Sequence, residues 1–398
     1  MFEQVQAAPP DPILGLTEAW KSDPNPKKIN LGVGVYKDDQ GTTPILPSVK
    51  QAEANILANG TSKSYMPIGG SPAYRDAVQS MLLGEGHPLI AEKRIATAHT
   101  PGGTGGLRVG ADLLKTLLPE ATVWMSSPTW ANHKGIFKAA GFAQADYPYY
   151  DPASKTLDFD AMIAALDQVP AGDIVLLHVC CHNPTGVDPT PGQWEQIAAT
   201  AAARGWLPFL DFAYQGFGVG IEEDRAGLLA IAEACPEFVV ASSFSKNFGL
   251  YKDRTGALSI VSGSAGTVAA VYSNLLVTIR VNYSNPPAHG GLIVEEILGD
   301  KALTNQWLAE LAGMRERIAG VRKDLVKALD DRSVPGDRAF LIQQKGMFSF
   351  SGLNPMQVDW LKKEKAIYIV GSGRINVAGI TPDNLRALAA AVAESLTN

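Results

Sequence analysis

Short apolar runs punctuate the middle of the chain at 122–125, 173–179, 206–210 and 238–242, each with Gly, Pro, Asn or Asp within a few residues of its ends. Between and around them lie stretches with apolar residues at helical spacing, at 73–83, 107–118 and 193–204. A run that is apolar nearly throughout has both faces buried. Runs of this length alternating with amphipathic helices predict a mostly parallel sheet covered on both sides. A further short strand is expected at 29–35, after a start rich in Pro and Asp. The last third changes character. A long helical pattern covers 292–329, strands are expected at 339–350 and 366–376, and a closing helix at 381–396. That third reads as a smaller α+β unit, which the N-terminal arm joins.

The bulk numbers narrow the class. A chain of 398 residues with 46% hydrophobic content has room for two domains. Lys and Arg total 34 against 40 Asp and Glu, a formal net charge of -6 without a dense basic run, which argues against nucleic acid or an anionic membrane as partner. No stretch approaches the ~18 apolar residues of a membrane span. The opening residues lack a basic segment followed by an apolar one. Cys180, Cys181 and Cys235 show no C-x-x-C pair and no Cys/His ligand spacing, so no metal site is expected. The expectation is a soluble cytoplasmic protein with a reduced set of cysteines.

Ligands of such sheets bind beyond the carboxyl ends of the strands. After 173–179 comes CCHNPTG, which carries Asn183; 206–210 runs into Asp211 and then Tyr214; 238–242 runs into SFSKNFGLYKDR, with Ser243, Lys246 and Arg254. Gly102, Gly103 and Thr104 stand directly before a helix, where backbone N–H groups and the positive helix end suit a phosphate. No Gly-Lys-Ser/Thr follows, so this is no P-loop, and Arg108 occupies the third glycine position of a dinucleotide fingerprint. A lysine just past a buried strand is partly desolvated, which lowers its pKa and frees the amine for Schiff-base chemistry. Asp211 suits a pyridinium nitrogen, and Arg254 a phosphate. Singly, these are an ordinary surface lysine, a helix cap and half of a salt bridge; together at the strand ends of one sheet they point to a cofactor. His87, His99, His178, His182 and His289 read as packing or hydrogen-bonding residues, and Glu222-Glu223-Asp224 as a solvated loop.

Ten blocks, in order, carry a resemblance over essentially the whole chain: NLGVGVYKDDQG, SKSYMPIGGSPAYR, TPGGTGGLRVGADLL, SPTWANH, CCHNPTG, DFAYQGFGVGIEED, SSFSKNFGLYKDRTG, VNYSNPPAHGG, KGMFSFSGL and GRINVAG. The chain resembles the class I, fold-type I pyridoxal-phosphate aminotransferases, in the aspartate/aromatic subgroup. The implied fold class is α/β, with a large cofactor-binding domain at 44–313 whose mostly parallel sheet is flanked by helices. A smaller α+β domain comprises 1–43, with the N-terminal arm, and 314–398.

The resemblance also implies roles. Lys246 would carry pyridoxal 5'-phosphate as an imine and act as proton carrier. Asp211 would pair with the ring nitrogen, with His133 as its support, and Tyr214 and Asn183 with the phenolic oxygen. Trp130 would stack on the ring. Gly103, Thr104, Ser243 and Arg254 would hold the phosphate, with Tyr65 reaching in from the second copy of a homodimer that shares its active sites. Arg374 would grip the substrate α-carboxylate, aided by Asn183 and the Gly34 backbone. Arg280 would reach across the dimer to a second carboxylate.

The implied reaction moves the amino group of L-aspartate, and of glutamate, to 2-oxoglutarate or oxaloacetate. Val35, Lys37, Thr43, Thr104 and Asn285 lean toward aspartate. Two alternatives remain open: a broad-specificity aromatic aminotransferase, and another pyridoxal-phosphate reaction on the same scaffold. The pairing of Arg374 with Arg280 argues against the latter. A non-catalytic regulator and a nicotinamide dehydrogenase are weaker readings.

Overall fold

A computed structural model describes residues 2–7, 13–334 and 336–396. The chain divides into two compact units, one of Pro44–Glu316 and one of Met1–Thr43 with Arg317–Asn398.

The larger unit is built on a seven-stranded sheet. Its strands in chain order are β1 (Ile95–Pro101), β2 (Thr122–Ser127), β3 (Ala143–Pro148), β4 (Ile174–His178), β5 (Leu207–Phe212), β6 (Phe238–Ser243) and β7 (Thr255–Val261). Across the sheet the order is β1-β7-β6-β5-β4-β2-β3. All neighbours are parallel except β7, which runs against both β1 and β6. Every residue of β4, β6 and β7 is buried, as strands covered on both faces require, whereas the edge strand β3 is largely open.

The covering helices include α1 (Gly102–Leu117), α2 (Ala131–Ala139), α3 (Pro191–Arg204), α4 (Ala226–Ala234) and α5 (Ala265–Asn282). Local sequence sets the ends of α3. Thr190 and Gln193 form a reciprocal capping box, Pro191 occupies the first turn, and Gly205 takes the left-handed conformation that stops the helix. The core between α1, α2, α5 and the sheet gathers Phe137, Phe209, Leu258 and Ile279. The helical pattern at 292–329 is two helices, Ala288–Gly299 and Lys301–Asp330. They part at Asp300, whose carboxylate accepts the Leu303 N–H at 2.9 Å. Among the described residues no helix is long and apolar enough to cross a membrane.

The smaller unit holds two strand pairs. Ile29–Asn30 lies parallel to β9 (Ile367–Tyr368), and β8 (Phe348–Phe350) lies antiparallel to β10 (Arg374–Asn376). The expected strand at 339–350 is corrected: Ala339–Gln343 is helical, and only Phe348–Phe350 is extended. The buried Arg322 explains the break, because its guanidinium donates to the carbonyls of Leu341, Gly346 and Phe348 and so takes the place of a strand partner. The segment 366–376 is likewise two strands, separated by a turn in which the Gly373 N–H donates to the Val370 carbonyl at 2.8 Å and Gly373 has a positive φ.

Candidate active site

Strand register brings several polar side chains to one edge of the larger unit's sheet. Asp211 on β5 pairs with His178 on β4, Gly256 on β7 with Ser243 on β6, and Thr255 on β7 with Pro101 on β1. The carboxyl ends of β1, β4, β5 and β6 therefore share an edge with the start of the reversed β7.

Lys246 lies three residues past β6, with its Nζ 4.6 Å from the centre of the Tyr214 ring. Burial holds its pKa down to about 8, against the opposing pull of Asp211 and with the help of Arg254. The residue as a whole is only partly buried.

Asp211 is buried, and burial pushes its pKa up. The hydrogen bond from His133 and the charges around it win, and the carboxyl titrates below its ordinary value. His133 Nε2 donates to Asp211 Oδ2 at 3.0 Å. Thr129 Oγ1 extends the hydrogen-bonded chain, lying 2.9 Å from His133 Nδ1 and 3.1 Å from His178 Nε2. Burial lowers the His178 pKa to about 3, so this end of the chain is neutral. Trp130 packs edge-on to His133 with centroids 5.1 Å apart.

Asn183 is buried in the turn after β4. Asp188 fixes that turn by accepting the N–H groups of Cys181 at 2.7 Å and His182 at 2.8 Å.

The turn from β1 into α1 is pressed flat against its neighbours. A Cβ on Gly102 would come within 2.5 Å of Arg254 Nη2, and one on Gly103 within 2.9 Å of the Ser243 Cβ. Arg254 itself has φ +54, a left-handed conformation uncommon outside glycine, and donates to Ser245 Oγ at 3.3 Å and the Tyr251 carbonyl at 3.2 Å. A helix start without side chains, a hydroxyl and a guanidinium thus occupy one small region. Thr104 stands in the first turn of α1.

Within the smaller unit, Arg374 is buried and donates from Nη2 to the Gly32 carbonyl at 2.6 Å. Its guanidinium lies 4.3 Å from the centre of the Phe348 ring. Gly34 packs on the same ring, and a Cβ there would be 2.6 Å from Phe348 Cζ.

The larger unit thus gathers Lys246, Asp211, Tyr214, Trp130, Gly103, Ser243 and Arg254 through direct neighbours, with Asn183 and Thr104 at the same strand ends. Tyr65 is 91% exposed, and the exposed Arg280 bonds to Ser284. Sequence reasoning passed over Thr129 and the link to His178, since a threonine between two histidines in space leaves no spacing signal. The Glu222-Glu223-Asp224 run also reads differently. Glu222 and Glu223 are exposed, but Asp224 is buried and accepts the N–H groups of Gly216, Gly218 and Val219, each at 2.8 Å. Its carboxylate, with Cys180 and Cys181, forms a buried group whose potential ligand atoms lie within 4.8 Å of one another.

The profile "Aminotransferase class I and II" matches residues 26–392. The chain belongs to this aminotransferase family. It is 51% identical to the aspartate aminotransferase of Escherichia coli over 98% of this chain and 99% of the relative. Identity to the aromatic-amino-acid aminotransferase of the same organism is 45%, over 99% of each chain. The crystal structure of an aromatic-amino-acid aminotransferase from Burkholderia pseudomallei, covalently bound to pyridoxal phosphate, superposes with a TM-score of 0.97 at 48% identity, covering 100% of this chain and 99% of that one. The fold is therefore fold-type I, and the family is dependent on pyridoxal phosphate.

Proposed function

We propose that this aminotransferase moves the amino group of L-aspartate, and of glutamate, onto 2-oxoglutarate or oxaloacetate, with pyridoxal phosphate carried on Lys246. The observation that supports the cofactor most directly is the Lys246 amine, over the Tyr214 ring with its pKa held near 8, in the electrostatic reach of a buried carboxylate that titrates below its ordinary value. The residues fit the group. Gly103, Thr104, Ser243 and Arg254 would hold its phosphate, Asp211 its ring nitrogen, Asn183 and Tyr214 its phenolic oxygen, and Trp130 its ring face. When bound, pyridoxal phosphate supplies an aldehyde for amines and a protonated ring that takes up the electrons of a breaking Cα–H bond.

The protein's own work is positioning and proton transfer. Lys246 in its neutral form accepts the α-proton on Nζ, and an amine with pKa near neutrality is suited to both halves of that exchange. Asp211, tied by His133, stays ionised and keeps a proton on the ring nitrogen. Arg374 takes the α-carboxylate through its planar fork, helped by Asn183 and the Gly34 backbone. Holding that carboxylate would fix how the bonds at the substrate Cα are presented to the Lys246 amine. Arg280, from a second copy of the chain, would bind the distal carboxylate, and Tyr65 of that copy would reach the phosphate. Val277 and Val281, exposed one helical turn apart beside Arg280, support a face that a second copy covers.

Aromatic amino acids are the second reading, favoured by the similarity to aromatic-amino-acid aminotransferases. A coupled assay of aspartate against phenylalanine, with 2-oxoglutarate as acceptor, decides between them. Arg280→Ala is expected to lose far more aspartate than phenylalanine activity, and equal losses reject the role given to Arg280. For the cofactor, the purified holoenzyme should show a visible absorbance band that borohydride bleaches, with the reduced adduct on Lys246. An adduct on another lysine rejects the assignment.

A further inference from the structure

The block GRINVAG contains a side chain, Asn376, that the roles above leave unused. Asn376 is buried on β10, two residues after Arg374, so the two side chains leave the strand on the same face. Its amide is fully engaged. Nδ2 donates to the Val33 carbonyl at 2.6 Å and to the Val35 carbonyl at 2.8 Å, while Oδ1 accepts the Ala378 N–H at 3.1 Å. The two carbonyls flank Gly34. The Val35 N–H donates back to the Val33 carbonyl at 3.0 Å, so Gly34 is the centre of a three-residue turn. The Asn376 backbone N–H adds a bond to the Leu31 carbonyl at 2.7 Å, and Arg374 adds the one to Gly32. Phe348 closes the other side of Gly34.

We propose that Asn376 is a positioning residue for substrate carboxylate binding, because its amide bridges the carbonyls on either side of Gly34 and holds that turn against the strand that carries Arg374. The proposal rests on the reading of Arg374 and Gly34 as the carboxylate grip. One NH2 group spanning two carbonyls fixes the turn from both sides. A neutral side chain with two donors on one atom and an acceptor on the other meets all three partners at once. Aspartate has nearly the same shape and keeps the acceptor for Ala378, but turns an oxygen toward both carbonyls. This separates the two functions of the side chain.

The test compares Asn376→Asp, Asn376→Ala and Arg374→Lys, each as the holoenzyme. The measurements are steady-state KM and kcat for aspartate and 2-oxoglutarate, inhibition by succinate, cofactor content and thermal midpoint. Asn376→Asp should raise both KM values and the succinate inhibition constant together, by about tenfold, as expected for the loss of one or two well-made hydrogen bonds. Its kcat should change much less, because a carboxylate is held alike before and during reaction. Asn376→Ala introduces no charge and should shift the same constants in the same direction. If Asn376 only caps the turn at Ala378, Asn376→Asp would bind succinate like the unaltered enzyme, and the proposal falls. It also falls if the variants lose cofactor or thermal stability while the folded fraction keeps normal KM values. Arg374→Lys separates the two levels. If it leaves KM unchanged, the underlying carboxylate reading is wrong; if it raises KM while the Asn376 variants do not, only the role given to Asn376 is wrong.

Discussion

Gly256→Ala tests the packing behind the turn proposed to hold the phosphate. Gly256 is the second residue of β7, and a Cβ there would lie 2.5 Å from the Gly102 carbonyl carbon, 2.6 Å from the Ser242 oxygen and 2.7 Å from the Gly103 nitrogen. All three are backbone atoms, so no rotamer change relieves the contact. Ordinary carbon–carbon separation is about 3.5 Å or more, so the turn must retreat from β7 by roughly 1 Å. Overpacking of this kind costs ~1–3 kcal/mol, and a rigid neighbour puts the cost at the upper end. The retreat moves the N–H groups of the Gly102–Gly103 turn relative to Arg254. If most of the cost falls on the loaded state, pyridoxal phosphate affinity drops by about a hundredfold. The assay is absorbance titration of cofactor-free protein with pyridoxal phosphate, with Gly263→Ala as the control, since a Cβ at Gly263 meets nothing within 4 Å. Unaltered affinity in Gly256→Ala would refute the idea that the turn's position against β7 sets cofactor affinity.

Three further outcomes are expected. The rate at which cofactor-free protein takes up pyridoxal phosphate should climb with pH and level off above about 8, because burial lowers the Lys246 pKa to that value from 10.5. The unfolded chain binds that proton more tightly, so folding gains stability as pH rises from about 8 toward 10.5; an uptake rate flat from pH ~7 to ~9 would contradict the shift. Asp211→Asn removes the carboxylate proposed to partner the ring nitrogen and should cut kcat by about a hundredfold or more, measured at saturating cofactor and substrate; a loss under about threefold would remove Asp211 from the mechanism. Arg322→Leu strands the carbonyls of Leu341, Gly346 and Phe348 and the Ser349 hydroxyl. At ~1–3 kcal/mol for each buried group left unsatisfied, it should cost about 3 kcal/mol or more, read as a lower chemical-denaturation midpoint, and an unchanged midpoint would mean that water replaces the guanidinium.

Much of the larger unit was legible because two-sided burial writes itself as apolar sequence: β2, β4, β5 and β6 each match such a run to within two residues at either end. Of the three sheet strands outside those runs, the half-open β3 carries little apolar signal, and β1 and β7 were hidden for another physical reason. β1 carries Thr97, His99 and Thr100, and β7 carries Ser259, all buried. Thr97 and Ser259 share a 2.8 Å hydrogen bond across the pair, and Gln79 donates to Thr97 at 3.2 Å. Polar groups that satisfy one another inside a sheet erase the apolar signal. The reversed direction of β7 was equally invisible, since alternation and burial are the same read forward or backward. Asp224 misled in the opposite sense, as three acidic residues in a row look solvated when one of them has turned inward to collect backbone N–H groups. Around the candidate site, Lys246 and Asp211 were legible because strand ends are where such sheets do chemistry. The Thr129–His178 extension and the Asn376 clamp were not, because each joins residues far apart in sequence.

The reversal of β7 also bears on how change elsewhere in the protein reaches the site. A parallel neighbour for β6 would have required a crossover helix, and the next strand would have begun at the far rim of the sheet. By turning straight back, the chain keeps Lys246 and Arg254 inside one hairpin connection of eleven residues between Ser243 and Thr255. The amine and the cation therefore share a single short tether, anchored at both ends in fully buried strands. Insertions in the long crossovers, or drift of the outer helices, have no lever on their separation, so such a scaffold can vary widely at its periphery while the reactive nitrogen and its neighbouring cation keep their spacing.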